Sequence, residues 1–588
     1  MSKSQKGTRF TLALFIIATA MAAARLVAFN PDTLVSVGSP PTPFSQNKQN
    51  EPALAVDANH PNVLVAGAND NIDMEACNAG DDTTCPFTPG VGVSGVYFSF
   101  DGGTTWHQPT YSGWSARNCL GVPGPDSGCA PQVGPIGTLP WYFENGLVSD
   151  GDPALAFGPR PDENGRFSWA NGSRLYYANL TSNFSDLRDE ATFKGTEALA
   201  VSRTDNVQAA AAGNKNAWMP PVIVSKQNAV LFEDKEQLWA DNAASSPFFG
   251  NVYVCSAAFR SNSHGNALPV PILVATSEDG GDTWRTRQVS EAATNFERGS
   301  RSGCTVRTDS EGVVYVFYAH FQVGTPGIGA HTMVKSFDGG HTWTRPQDLY
   351  AISDACFRVD PVIGRCVEDG IAGARNDLAA GPSADIANGA PSGADATDEI
   401  FITWADGDGG LNHEKVMLSY SADGGTTWAQ PQPISHPADR GLFAAAGVSP
   451  NGRDLYVVYN AFLTPFREDT FAPRAMDGVV LHADVGVNGV PAGFFELHRA
   501  PTGDPRGSSQ NNLQAGFLGD YVYAIATRTY GAAVWNDVRN AADCPAIDAW
   551  RMSLRTGASV AQPSVEQACP ATFGNTDIFG GSYADPTP

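Results

Sequence analysis

One eight-residue pattern occurs four times in this chain and constrains its fold more than any other feature. Each copy has Ser, Asp, Gly, Gly, Thr and Trp at fixed positions. The copies are Ser99–Trp106, Ser277–Trp284, Ser336–Trp343 and Ser421–Trp428. Such self-similarity along a chain is the signature of a repeat architecture. The chain is therefore expected to consist of similar units placed side by side.

A second pattern separates these copies: a short apolar strand, a turn, and a strand rich in Val, Tyr and Phe. It occurs seven times, with first strands that begin at Glu51, Asp152, Gln237, Cys304, Leu378, Ala444 and Tyr521. Continuous apolar runs are typical of strands buried on both faces. An inner hairpin followed by an outer hairpin makes a four-stranded blade, and a ring of blades makes a propeller. The sequence thus predicts an all-β fold, a β-propeller with seven blades, with six as the alternative.

Closure of the ring needs a strand from elsewhere, because the last blade is one strand short. We expect Ala549–Leu554 to be its third strand and Thr33–Val37, near the N-terminus, to supply the fourth. Such closure removes an exposed sheet edge. The predicted domain organisation is a single propeller over residues 25–588, with an insertion at about 107–149 and a C-terminal extension from about 556.

The N-terminal segment and the cysteines indicate export. Basic residues precede an apolar run, Phe10–Ala24, that ends in small residues, as in a signal peptide over residues 1–24. An uncleaved membrane anchor is the alternative. Ten cysteines in an exported chain indicate disulfides. The expected pairs are Cys77 with Cys85, Cys119 with Cys129, Cys356 with Cys366, Cys544 with Cys569, and Cys255 with Cys304.

The formal net charge of −24 argues against two classes of partner. A strongly acidic surface repels nucleic acid and anionic membranes. We therefore expect no nucleic-acid partner, and a membrane contact only if the signal segment stays attached. The expected partner is an extracellular glycan or glycoprotein.

Each conserved position of the repeat has a structural explanation. The Asp can accept hydrogen bonds from backbone N–H groups of its own turn. The Gly pair allows positive φ where the chain reverses, and the Trp is a large apolar plate. We therefore interpret Asp101, Asp279, Asp338 and Asp423 as turn-forming residues at the tips of the outer hairpins. A ligand is expected at the opposite face of the ring, near its axis.

That axial mouth is formed by residues just before each first strand and just after each second strand. Most of them are charged: Glu51, Asp70, Asp150, Asp152, Glu233, Asp234, Lys235, Glu236, Arg260, Arg301, His320, Glu368, Asp369, Asp406, Asp408, Arg440, Asp520, Asp537 and Arg539. The acids are either solvated loop residues or a converging group that binds a cation. Oxygen ligands suit Ca²⁺, and the candidate metal ligands are Asp152, Asp406, Asp408 and Asp537.

The repeats identify a resemblance to the sialidase-like Asp-box propellers, also called the BNR-repeat family and often labelled exo-α-sialidase. Phe517–Tyr521 and Trp535–Arg539 resemble the closing blade of secreted bacterial members. The resemblance implies a glycosidase that grips its substrate with three Arg and uses a Tyr nucleophile with an Asp acid. The Phe-Arg-Ile-Pro motif of sialidases is absent, since the matching region reads Gln49-Asn50-Glu51-Pro52.

A substitute catalytic set can be assembled from the mouth. It consists of Arg301, Arg440 and Arg539 as the carboxylate-binding cluster, Tyr521 as nucleophile with Asp520 beside it, and Asp70 as acid. The other interpretation is that these arginines pair with neighbouring carboxylates. Aromatic residues of the insertion, Trp114, Trp141, Tyr142 and Phe143, are either a sugar platform or pins for the loop.

Three functions stay open on the sequence. The first is a sialidase-like glycoside hydrolase that acts on extracellular glycans. The second is a non-catalytic propeller that binds glycan or protein. The third is a metal-dependent hydrolase with an acidic axial site.

Overall fold

Seven antiparallel sheets surround a common axis in the structure, which is a computed structural model. It describes residue 1 and residues 29–77, 88, 90–119, 131–184, 197–225, 231–261, 267–291, 301–322 and 327–587. The expected signal segment lies outside these residues except for Met1. In the described part of the chain, no helix is long and apolar enough to cross a membrane. The predicted seven-bladed propeller is confirmed.

The innermost strand of each blade, which in blade 2 is β8 (Ala154–Pro161), contacts the innermost strands of both neighbouring blades. The first blades follow strand β1 (Thr33–Leu34). Blade 1 has β2 (Gln49–Val56), β3 (Leu64–Asp70) and β4 (Ser94–Ser99). A hairpin of β5 (Tyr111–Ser115) and β6 (Gln132–Ile136) follows, within the predicted insertion. Blade 2 has β7 (Leu147–Ser149), β8 (Ala154–Pro161), β9 (Phe167–Asn183), β10 (Ala198–Thr204), helix α1 (Val207–Ala211) and β11 (Trp218–Ile223).

The next four blades are regular four-stranded sheets. Blade 3 has β12 (Leu231–Ala240), β13 (Val252–Ser261), β14 (Ala267–Ser277) and β15 (Arg285–Gln288). Blade 4 has β16 (Arg301–Thr308), β17 (Val314–Phe321), β18 (Ile328–Ser336) and β19 (Gln347–Ser353). Blade 5 has β20 (Ser383–Ile386), β21 (Ile400–Asp406), β22 (Lys415–Ser421) and β23 (Gln432–Pro433). Blade 6 has β24 (Arg440–Val448), β25 (Asp454–Phe462), β26 (Met476–Asp484) and β27 (Phe495–Arg499).

Blade 7 joins the two ends of the chain. It contains β28 (Tyr523–Ala526), β29 (Tyr530–Asp537), β30 (Asp577–Ala584) and, at its outer edge, β1. Leu34 of β1 lies opposite Phe579 of β30. The prediction of a strand at Ala549–Leu554 is wrong, because this segment lies in helix α2 (Pro545–Thr556). Its apolar residues Ile547 and Trp550 are buried at helical spacing. A short helix α3 (Val565–Ala568) precedes β30.

The four repeats form turns that follow the third strand of a blade, as their residues predict, and in blades 3, 4 and 5 the turn leads to a fourth strand. In the first copy, Asp101 Oδ1 accepts a hydrogen bond from Thr105 N at 2.9 Å, and Asp101 Oδ2 accepts one from Thr105 Oγ1 at 2.6 Å. Gly102 and Gly103 have φ of 71° and 86°. Equivalent bonds form in the other three copies. Each repeat therefore holds its own hairpin.

The tryptophans of the repeats pack between blades. Trp428, at the end of the blade 5 turn, lies edge-on to Phe317 of blade 4, with ring centroids 6.0 Å apart. Trp284 and Trp343 likewise pack against the apolar clusters shared with the preceding blade. Burial of aromatic surface at each junction stabilises the ring.

Disulfides form within and between blades. Cys255 of blade 3 is bonded to Cys304 of blade 4. The expected pairs Cys356 with Cys366 and Cys544 with Cys569 also form. The other two expected pairs each include a cysteine outside the described residues, namely Cys85 and Cys129.

Candidate functional site

A cluster of carboxyl groups lies at the axial end of blades 1 to 3 and 7. We call it the axial cluster, and its members are Glu51, Asp152, Asp234, Glu236 and Asp520 together with Lys235. Each of these six residues is at least nine-tenths buried. The axial cluster is thus a group of charges removed from bulk water, which is costly unless the charges are paired or neutralised.

Irregular backbone at the start of the inner strands places these side chains. The β2–β3 register shifts between Asn50 and Ala53, and the β12–β13 register shifts between Asp234 and Gln237. At these bulges Glu51 and Lys235 have φ of 56° and 58°, and Asp152 has φ of 51° ahead of β8. A bulge turns a side chain away from its regular alternation. Strained φ in non-glycine residues is typical of functional sites.

Lys235 is the central cation of the axial cluster. Its Nζ donates to Asp520 Oδ2 at 2.8 Å and to Asp152 Oδ2 at 3.3 Å, and it lies 3.6 Å from Asp234 Oδ1. Asp520 Oδ1 also accepts a hydrogen bond from Asp377 N at 2.8 Å. One ammonium group therefore joins carboxylates from three blades.

The carboxyl groups do not ionise alike. Burial raises the pKa of Glu51 and of Glu236 well above the usual range, and the neighbouring Asp152 carboxylate adds to this effect. Burial also raises the pKa of Asp234 to about 7. Burial opposes ionisation of Asp152 too, but Lys235 and the hydrogen bonds from Glu51 and Asp234 hold its pKa below the usual range. When their surroundings give two neighbouring carboxyls different pKa values, one can act as a general acid and the other as a general base.

The predicted catalytic residues occupy different surroundings. Asp520 belongs to the axial cluster, and Tyr521 lines a cavity of about 60 Å³ next to it with Lys235 and Glu236. Burial and then the carboxylates of Asp152 and Glu51 raise the pKa of Tyr521 well above its usual range. A nucleophile needs the opposite shift or an adjacent base.

Asp70 is held by four hydrogen bonds. It accepts from Tyr97 Oη at 2.7 Å, from Gln49 Nε2 at 2.9 Å, from Gln108 Nε2 at 2.7 Å and from Ile72 N at 2.9 Å. It is completely buried. These contacts give Asp70 a structural role at the end of β3.

Arg440 and Arg539, the two candidate arginines whose side chains the structure describes, do not share a binding partner. Arg440 binds Glu414 through Nε at 2.8 Å and donates to the carbonyl oxygens of Glu368 and Thr464. Arg539 binds Asp537 and Asp32, each at 2.7 Å. Arg301 begins β16, and its side chain lies outside the described part of the structure. Arg440 and Arg539 thus pair with neighbouring carboxylates and do not form a cluster that binds a substrate carboxylate.

One predicted metal ligand joins the axial cluster. Asp152 lies with Asp234 and Glu236 so that one oxygen of each is within 4.8 Å of the others. Asp406 accepts hydrogen bonds from Ser353 N and Trp404 Nε1. Asp537 is engaged by Trp535 Nε1 and Arg539. Asp408 is exposed. Charge patterns in the sequence could not separate Asp152 from these three, because all four follow or precede a strand.

The aromatic residues of the insertion pack on one another. The rings of Trp114 and Phe143 are stacked with centroids 4.9 Å apart, and Phe184 meets both edge-on. Trp141 Nε1 donates to Lys215 O at 3.0 Å. These contacts fix the insertion to blade 2, so these aromatic residues hold the loop in place and do not form an exposed sugar platform.

A larger cavity lies on the axis at the other face of the ring, and sequence reasoning missed it. We call this space of about 200 Å³ the turn-face cavity, since the ends of the inner strands and the following turns line it. Its walls are mostly apolar. The larger side chains around it are Phe157, Trp239, Arg307, Asp385, Tyr523 and Arg528. The available signal in the sequence was a charged residue near the end of two inner strands, Arg307 in β16 and Asp385 in β20.

Two ion pairs border the turn-face cavity. Arg307 Nε donates to Asp385 Oδ1 at 3.2 Å, and the Arg307 guanidinium lies 4.6 Å from the Trp239 ring centroid. Arg528 binds Asp395 through Nε at 2.9 Å. Tyr523 Oη donates to Gln237 Oε1 at 2.8 Å. Arg307 and Tyr523 line both cavities and thus lie between the axial cluster and the turn-face cavity.

No protein-family model matches this sequence, and no curated protein matches it. Solved structures with a similar fold include the Hadza microbial sialidase Hz136, at 14% identity and a TM-score of 0.38, covering 70% of this chain and 63% of that one. Another is a leech intramolecular trans-sialidase in complex with 2,7-anhydro-Neu5Ac, at 12% identity and a TM-score of 0.36, covering 70% and 65%. This chain therefore spans a little under two-thirds of both sialidases. A GH93 α-L-arabinofuranosidase of Fusarium graminearum matches at 9% identity and a TM-score of 0.29, covering 60% and 93%. These similarities assign no activity to the chain.

Proposed function

We propose that this protein is a secreted propeller that binds a neutral glycan in the turn-face cavity. The observation that carries the proposal is this concave, mostly apolar space of about 200 Å³ with a few polar side chains at its edge. Small-molecule sites have this composition. The volume is below the range of about 300–1,000 Å³ for drug-sized ligands, so one sugar ring is the expected occupant.

Charge around the cavity favours a neutral ligand. Each arginine at its border is paired with an aspartate, Arg307 with Asp385 and Arg528 with Asp395. An anionic sugar would need a free cation, and the acidic net charge of the whole chain repels it. Aromatic and amide side chains, such as Trp239 and Asn242, suit the apolar faces and the hydroxyl groups of a sugar ring.

Glycan binding is tested by screening the full chain on an array of neutral and sialylated glycans, followed by calorimetry with the best free sugar. The half-buried Ala58 lines the cavity, so Ala58→Trp fills it and is expected to lower affinity at least tenfold. The matched control is Ala438→Trp at an exposed position away from the cavity, which leaves affinity unchanged. Retention of sialylated glycans alone, or equal affinity in Ala58→Trp, contradicts the proposal.

Secretion is supported by the apolar segment at Phe10–Ala24 and by the disulfides of the described residues. Sequencing the N-terminus of protein collected from the medium is expected to give a start between Ala23 and Arg25. An intact N-terminus in the membrane fraction would instead indicate an anchor.

Glycoside hydrolysis at the axial cluster is a second candidate function. The observation in its favour is the pair Glu51 and Asp152, in which the pKa of one carboxyl is raised and that of the other lowered. The adjoining cavity of about 60 Å³ has room for about two waters, so a sugar could enter only after a local opening. Turnover of fluorogenic glycosides, a sialoside included, that is lost in Glu51→Gln would establish this function. Absence of turnover across the panel would reject it.

A further inference from the structure

The axial cluster has more carboxyl groups than cations. Five carboxyl groups surround one ammonium group, that of Lys235. Arg375, which lies close to Asp520, also faces Asp377, with an Arg375 Nη1 to Asp377 Oδ2 distance of 3.7 Å. Buried carboxylates without counter-charges are unstable in a low-dielectric environment. The remaining carboxyls are therefore neutralised either by bound protons or by a bound cation.

Two side chains in the cluster have oxygens without a hydrogen-bond donor. Both carboxyl oxygens of Glu236 are buried and have no partner, and Glu236 is only 3% exposed. Glu51 Oε1 is also buried and unpartnered, while Glu51 Oε2 accepts from Asn69 Nδ2 at 2.6 Å. Buried polar atoms are normally satisfied, so orphaned oxygens point to a missing ligand.

The orphaned Glu236 carboxyl lies where an ion can be shared. Oxygens of Asp152, Asp234 and Glu236 are mutually within 4.8 Å, so one point lies no farther than about 2.8 Å from all three. Lys235 contacts one oxygen of each aspartate, and an ion held by all three carboxyls takes the place of the protons in the hydrogen bonds from Glu51 and Asp234 to Asp152. A set of protein carboxylate oxygens suits Ca²⁺, which takes several protein oxygens as ligands, better than Mg²⁺, which usually keeps several waters.

We propose that Asp152, Asp234 and Glu236 bind one Ca²⁺ ion, with Glu51 completing the charge around it. The ligands come from the inner ends of blades 2 and 3, and Glu51 comes from blade 1. The ion therefore joins three consecutive blades at the axis. This inference is independent of any glycan in the turn-face cavity, since Arg307 and Tyr523 lie between the two places.

The test uses the full chain after removal of metal with a chelator. Titration with CaCl₂ alone is expected to show one bound ion per chain by calorimetry. Ligand binding to the native state raises the melting temperature, by about 2 °C for a chain of this size when Ca²⁺ is at 100 times its Kd. Tb³⁺ luminescence, with Tyr521 and other aromatic residues as donors, gives a second readout.

Two variants decide the location of the ion. Glu236→Gln keeps the shape of the side chain and is expected to lower Ca²⁺ affinity at least tenfold. The control is Asp454→Asn, which alters a second acidic group, formed by Asp454, His482, Asp484 and Asp585, at the boundary of blades 6 and 7. It is expected to leave the affinity unchanged.

Three results would overturn the inference. One is that the wild-type chain shows neither Ca²⁺ binding nor a shift in melting temperature at about 10 mM Ca²⁺, a concentration above the dissociation constants of the weakest protein sites. Another is full affinity in Glu236→Gln. The third is loss of binding in Asp454→Asn alone. Because the first result is obtained with the wild-type chain, the test does not depend on the folding of either variant.

Discussion

Replacing Lys235 with methionine removes the ammonium group that joins Asp152 and Asp520 while keeping most of the side-chain volume. Both ion pairs are buried, with Lys235 Nζ 2.8 Å from Asp520 and 3.3 Å from Asp152. Removing one partner of a buried pair leaves an uncompensated charge and costs about 3–5 kcal/mol. An entropy of unfolding near 2.1 cal/mol/K per residue converts this loss to a fall in melting temperature of about 3 °C.

The assay is urea denaturation of the wild type and variants, followed by fluorescence. The matched control is Arg358→Met, because Arg358 and Glu468 form an exposed pair with an N–O distance of 3.5 Å. Exposed pairs contribute about 0–1 kcal/mol. A double-mutant cycle with Asp520→Asn is expected to show coupling, since the double variant no longer leaves Asp520 as an uncompensated buried charge. Additive effects, or a loss in Lys235→Met no larger than in the control, would refute the reasoning.

Three further predictions concern the repeats, the disulfides and pH. Hydrogen bonds from the Thr427 hydroxyl and backbone N–H lower the pKa of Asp423 to about 2. The stability that Asp423 contributes is therefore present above its unfolded pKa and is lost as pH falls through about 2. Asp423→Ala is expected to lower the melting temperature at pH 7, and an unchanged melting temperature would contradict the turn-forming role. The Cys255–Cys304 bond spans 49 residues and the Cys356–Cys366 bond spans 10. Loop entropy therefore predicts that replacing both cysteines by alanine lowers the free energy of unfolding by about 4 kcal/mol for the first bond and by about 3 kcal/mol for the second. Urea denaturation of the two variants tests whether the first loses more stability than the second. Burial raises the pKa of Asp241 to about 7, so the stability that Asp241 contributes is present below its unfolded pKa and is lost as pH rises through 7. Relative to Asp241→Asn, the free energy of unfolding of the wild type is expected to fall by up to about 4 kcal/mol between pH 4 and pH 8. A difference between the two proteins that stays constant with pH would show that Asp241 does not titrate in this range.

The repeat and hairpin patterns predicted the ring because both are local. Asp101 bonds to a residue four positions along the chain, and the glycines beside it supply positive φ. Such turns form from neighbouring residues alone, so four copies predict four outer hairpins. The apolar runs predict buried strands for the same reason. The segment Ala549–Leu554 was mistaken for a strand because short apolar runs do not distinguish a strand from a buried helix face.

The sequence by itself thus determined the blade and its turns, because these depend on contacts between residues close in the chain. It favoured seven blades and left six as the alternative, and the structure decided for seven. Only the tertiary structure decided which charges meet. Lys235 and Asp520 are 285 positions apart and become ion-paired because the closed ring brings the bulge in β12 and the residues before β28 to the same axis. The turn-face cavity likewise exists only after the ring closes, since no single blade encloses it. Burial then sets the pKa values of the axial carboxyls, and burial is a property of the whole ring.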